Sequence, residues 1–82
     1  MLSLVYIKDS ILSASLQELI EDAGYSRHKF AERFGTSSSA VYKWCNGTHL
    51  PTLLTVYRIA ELLQHHPYIV INALMKNRKL GD

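Results

Sequence analysis

The run KFAERFGTSSSAVYKWCNG, Lys29 to Gly47, is amphipathic and aromatic-rich at both ends, and is broken in the middle by Gly35 and four consecutive hydroxyl residues, Thr36 to Ser39. Glycine disfavours a helix interior, and Ser and Thr side chains compete with helical hydrogen bonds by bonding to the local backbone, so a helix must stop here and another start. Ala31, Gly35, Val41 and Trp44 follow one another at intervals of four, six and three. The small side chain at 31 lets the second helix cross close over the first. Gly35 permits the positive φ of a sharp turn, and Val41 and Trp44, three apart, point the same way into a core. This pattern predicts a helix-turn-helix, two helices crossing steeply about a short glycine-containing turn.

Helical spacing continues on both sides. Leu12, Leu16, Leu19, Ile20 and Ala23 predict a first helix, capped by the box Ser15-x-x-Glu18 or extended back through Ile11 and Leu12 to Ser10, and ended at Gly24. Ser26 caps the second helix, with Phe30, Ala31 and Phe34 inward. Thr36 or Ser37 caps the third, which carries Ala40, Val41, Tyr42 and Trp44 and stops at Gly47. Thr52, after Pro51, caps a fourth with Leu53, Val56, Tyr57, Ala60 and Leu63 on one face. Pro67 suits the first turn of a fifth. Ile69, Val70 and Ile71 are β-branched and allow a short strand there, but Ile69, Ala73, Leu74 and the basic run to Lys79 favour a helix. Phe30, Phe34 and Trp44 sit at core spacing. Leu2, Leu4 and Tyr6 alternate with their neighbours, a weak strand signal over a few residues. The expected architecture is all-α, one domain over 1–82 with about five helices, residues 1–10 forming an arm or strand and 67–80 a dimerisation helix.

At 82 residues, burial alone leaves a thin stability margin, which a dimer partner would supplement. The single cysteine excludes an intramolecular disulfide and suits a reducing compartment. The apolar start MLSLVYIKDS has no basic segment before it, and no run approaches about eighteen apolar residues, so neither a signal peptide nor a membrane span is expected. The expected location is the cytoplasm. Charge is uneven along the chain. Residues 9–22 hold Asp9, Glu18, Glu21 and Asp22 and no Lys or Arg, a net −4. Residues 26–50 hold Arg27, Lys29, Arg33 and Lys43 against Glu32, a net +3, with His28 and His49 beside them. That asymmetry is either the footprint of an anionic partner or the ordinary solvated faces of helices.

From about LQELIEDAGYS through KFAERFGTSSSAVYKW and NGTHLP to TLLTVYRIAELL, roughly residues 16 to 63, the sequence resembles the lambda-repressor-like regulators, the Cro-type or xenobiotic-response-element family. In that family a first helix ending in Gly-aromatic/aliphatic-Ser leads into the paired helices, and a Gly-x-x-x-Pro loop leads to the fourth. Here these are Gly24-Tyr25-Ser26 and Gly47-Thr48-His49-Leu50-Pro51. Arg27 stands where the family commonly has glutamine and still suits phosphate contact. Cys45 stands where an acidic residue is common, so the buried ion pair that members often form there is not implied.

The resemblance implies sequence-specific binding of double-stranded DNA by a small transcriptional repressor of phage or mobile-element type, a homodimer with its third helix in the major groove. On that geometry Ser38, Ser39, Tyr42 and Lys43 project toward base edges. Ser26, Arg27, Lys29 and Ser37, with Asn46 and Thr48 beyond the third helix, reach phosphates. Arg33 and Arg58 are expected to be solvated or paired with neighbouring acids. Tyr68, Ile69, Ile71 and Leu74 of the apolar C-terminal segment are expected to form the dimer interface, with Leu2 to Ile7 a second candidate, unless that helix instead folds back to close the monomer's core.

Cys45, His49, His65 and His66 are the candidates for an enzyme or zinc site. No third orienting group or oxyanion hole accompanies them and the paired spacing of zinc ligands is missing, so neither catalysis, nor a metal, nor a cofactor is expected. The rival from another class is a helix-turn-helix used for protein binding, antitoxin-like or coactivator-like, and a regulatory protein partner is compatible with either reading.

Overall fold

The computed structural model describes residues 13–77; Leu2 to Ile7, the candidate arm, and the cap at Ser10 lie outside them. The described residues form five helices in order: α1 Leu16–Asp22, α2 Arg27–Phe34, α3 Ser38–Cys45, α4 Leu53–Leu63 and α5 Pro67–Asn77. The described residues hold no strand, and the β-branched run Ile69–Ile71 is helical. Burial of Ile69 and Val70 outweighs the modest helix penalty of branched side chains.

Local chemistry sets the helix starts. Ser15 Oγ accepts from the Glu18 N–H at 3.2 Å while Glu18 accepts from the Ser15 N–H at 2.8 Å, a complete capping box, so α1 begins there. Ser26, Ser37 and Thr52 each accept the N–H three residues on. At α5 the cap is a ring nitrogen: the Tyr68 N–H donates to His66 Nδ1 at 3.0 Å.

The helix ends share one device. Gly35 takes φ 93°, and the Thr36 N–H returns to the Ala31 carbonyl at 2.9 Å, closing α2 and turning the chain sharply into α3. The same return bond closes α4, but its left-handed residue is Gln64, at φ 60°.

Leu16, Leu19 and Ile20 of α1, Phe30 and Ala31 of α2, Val41 of α3, Val56, Ile59, Ala60 and Leu63 of α4, and Ile69, Val70, Ala73 and Leu74 of α5 form one core. Helix α2 packs on α3 and α4 on α5, and α1 touches α2, α3 and α5. The C-terminal helix therefore closes this chain's own core.

Several inward assignments need correction. Only Phe30 of the three aromatics at core spacing is fully buried; Phe34 and Trp44 are half-buried against the core's edge. They continue an aromatic ladder, with ring centres 5.9 Å apart from Tyr25 to Phe30, 5.7 Å from Phe30 to Phe34 and 5.9 Å from Phe34 to Trp44. On α4 the buried stripe is Val56, Ile59, Ala60 and Leu63, whereas Leu53 and Tyr57 are 61% and 50% exposed. Each residue turns a helix by about 100°, which puts Tyr57 on the flank and brings in Ile59 instead. Leu53 is the first residue of α4, at the far end from Leu63. Ala23 is the exposed C-cap of α1.

Candidate nucleic-acid interface

Helices α2 and α3 present two adjoining N-termini. Ser26 Oγ accepts the Lys29 N–H at 3.1 Å and Ser37 Oγ accepts the Ala40 N–H at 3.1 Å. Each serine uses one acceptor site in this way and keeps its O–H to donate. Both can therefore cap their own helix and bind an anionic oxygen.

Between these ends runs an open groove. Gln17 and Glu21 of α1 form one wall, Ser26, Arg27 and His28 another, and Ser38, Ser39 and Tyr42 of α3 the third. The acidic and basic stretches of the sequence meet here, through Glu21 and Arg27. Across this groove two contacts tie α2 to α3. The Arg27 guanidinium lies 4.7 Å from the centre of the Tyr42 ring, and His28 Nδ1 lies 3.0 Å from Ser38 Oγ. A cation over an aromatic face gains about 0.5–1 kcal/mol at an exposed site.

The expected base-reading residues Ser38, Ser39, Tyr42 and Lys43 are all exposed, while Val41 between them is fully buried. Val41 thus anchors α3 with that polar face turned outward. Of the expected phosphate ligands, Ser26 and Arg27 share the groove with Ser38, Ser39 and Tyr42. Lys29 does not. It turns to Glu32, 3.7 Å away, beside Tyr25 and Arg33 in a neighbouring depression. Asn46 and Thr48 lie at the other end of α3, where Asn46 Oδ1 accepts the Thr48 N–H at 2.9 Å and also the Thr48 hydroxyl, stiffening the turn.

Cys45 is half-buried near Arg27 and Glu21. Burial pushes its thiol up from the ordinary 9.0 to about 11, only partly opposed by the Arg27 charge, with Glu21 adding to the rise. A thiol held neutral is a packing group, not a nucleophile. Among the described residues no three His, Cys, Asp or Glu side chains converge as a metal site, and no helix is long and apolar enough to cross a membrane.

The sequence model of a family described as helix-turn-helix matches residues 16–68, which spans α1 to α4 and the start of α5. The chain belongs to that helix-turn-helix family. Its members are DNA-binding transcriptional regulators and not enzymes, and α2–α3 is the helix-turn-helix pair. No curated protein and no solved structure gives a significant match to the chain.

Other features of the described structure were not legible in the sequence. His28 joins the groove through Ser38, ten residues on, a contact with no local spacing to announce it. Arg58 is exposed as expected and forms no ion pair among the described residues, but it stacks 4.6 Å from the centre of Phe34 and donates to the Phe34 carbonyl at 3.5 Å, bracing the back of α2. Ile69 and Leu74, expected to be free for a partner, are 7% and 4% exposed and belong to the core. Tyr68 and Ile71 remain on the surface, at 57% and 37%.

Proposed function

We propose that the protein is a small transcriptional repressor of phage or mobile-element type, acting in the cytoplasm, which reads a specific double-stranded DNA site as a homodimer with α3 in the major groove. The observation that carries the reading is the Arg27–Tyr42 contact. It joins a cation at the start of α2, suited to phosphate, to the exposed face of α3, suited to bases, so that backbone anchoring and base reading form one rigid surface. The short Ser38 and Ser39 allow close approach and can each give or accept a hydrogen bond, and Lys43 reaches guanine acceptors or a phosphate. Ser26 and Ser37 supply donors at the two helix starts, and Asn46 and Thr48 a small polar turn at the far end of α3.

The homodimer draws support from α5. Tyr68, Ile71 and Met75 are exposed and spaced three and four apart, so they form an apolar stripe on the side opposite the core. Reading one face of the duplex with two copies requires their recognition helices to lie about 34 Å apart.

A second reading, recognition of another protein, has its own observation: Leu50, Leu53, Leu54 and Tyr57 are 45–70% exposed around the start of α4. Salt separates the two. Binding of duplex DNA falls steeply with added salt, with a slope near −0.9 for each phosphate neutralised. An apolar protein interface lacks that slope. Titration of a random-sequence duplex at several salt concentrations, with no loss of affinity, would favour the protein partner.

A further inference from the structure

We propose that His28 sets the hydrogen-bonding polarity of Ser38, and thereby makes the base preference of α3 depend on proton uptake. The inference rests on the reading of α3 as the base-reading helix. His28 Nδ1 lies 3.0 Å from Ser38 Oγ, and its Nε2 faces Glu32 Oε2 at 3.9 Å. At 3.9 Å the carboxylate acts through its charge and not through a hydrogen bond, and that charge favours the ring proton on Nε2. A neutral imidazole has one N–H, which leaves Nδ1 as the acceptor. The Ser38 hydroxyl then donates to His28, and with its single hydrogen spent it offers the outside only lone pairs. In that state Ser38 suits cytosine N4–H or adenine N6–H.

Addition of one proton from solvent at Nδ1 makes both ring nitrogens donors. No other bond breaks; Ser38 now accepts from Nδ1, and its O–H rotates outward. The same side chain then suits guanine O6 or N7, adenine N7 or thymine O4. Histidine as a class changes charge between about pH 5 and 8. The charged and titratable groups around the ring are Glu32 and Lys29 on α2, Arg27 beside it, Glu21 across the groove on α1 and Tyr42 on α3.

Two measurements on the full chain test this. Nitrogen chemical shifts of the His28 ring in the free protein at about pH 8 should show the proton on Nε2; a proton on Nδ1 overturns the proposal. Selection of bound duplexes from random DNA should then be run at about pH 8 and about pH 5, with the Ser38→Ala protein identifying the base pair that Ser38 reads. At that base pair the wild-type preference should shift by about five- to tenfold between the two conditions, the scale of one neutral hydrogen bond. His28→Ala, which retains His49, His65 and His66, should show no shift. A wild-type preference that ignores pH, or a shift that survives His28→Ala, overturns the proposal. Absence of duplex binding at both pH values overturns the DNA reading and the base preference with it, while the ring shifts still decide the polarity of the His28–Ser38 bond.

Discussion

Arg27, the first residue of α2, stacks its guanidinium over Tyr42, the fifth residue of α3, at 4.7 Å from the ring centre. The contact holds a cation at the junction of the two helices and fixes the outward direction of the aromatic ring. Arg27→Ala should therefore weaken binding to all duplexes alike and flatten the salt slope by about one unit. Competition between a selected and a random duplex at several salt concentrations measures both. A change in base preference without a change in slope would move Arg27 from phosphate to base contact.

Ser38, Ser39 and Lys43 are exposed on the same helix and carry donors or acceptors that discriminate bases. Ser38→Ala, Ser39→Ala and Lys43→Ala should each alter which bases are preferred, while leaving affinity for random duplex closer to wild type than Arg27→Ala does. Unchanged preference in all three removes the recognition role from this face.

Phe30 is fully buried whereas Trp44 is half-buried at the end of the aromatic ladder. Phe30→Ala should cost about 3–5 kcal/mol and unfold a marginal domain, and Trp44→Ala roughly half that, leaving a folded but weaker protein. Urea unfolding followed by circular dichroism checks the order.

Burial raises the Cys45 thiol from 9.0 to about 11. The folded protein should consequently react with iodoacetamide at about pH 8 roughly a hundredfold more slowly than the unfolded chain. The thiol of the unfolded chain ionises first, so stability from this group is fully present below 9.0 and is lost as pH climbs through about 11. Cys45→Ser should lose that part of the alkaline decline; an equally steep decline in the variant would assign it to other groups.

Ile71 and Ile69 are two residues apart on α5, but Ile71 is 37% exposed and Ile69 is core. Ile71→Glu should yield a folded monomer, and Ile69→Glu should unfold the chain. Sedimentation of the two proteins, with and without DNA, reads the difference. An Ile71→Glu protein that still dimerises would move the interface off this stripe.

The elements most legible in the sequence were those written in local chemistry. The Ser15–Glu18 box, the caps Ser26, Ser37 and Thr52, and the glycines at 24, 35 and 47 mark helix limits because each acts on backbone within a few residues. The exposed face of α3 followed from the same periodicity that buried Val41. Burial at the margins was not legible. Whether Trp44, Leu53, Tyr57 or Ile69 is covered depends on where another helix crosses, and one residue's turn moves a side chain from stripe to flank. The contacts Arg27–Tyr42, His28–Ser38 and Arg58–Phe34 join residues ten to twenty-four apart, and only the tertiary crossing brings them together. His66 escaped as a cap because its ring nitrogen does the work usually given to Ser, Thr, Asp or Asn.

The central claim is that α2 and α3 read a defined duplex sequence in two symmetric copies. Selection of bound sequences from random duplex DNA, at a fixed moderate salt concentration, tests it most directly. A palindromic site whose half-sites are centred about 10 base pairs apart should be enriched, and Ser38→Ala or Lys43→Ala should abolish that enrichment. No enriched sequence from a folded protein would contradict the account.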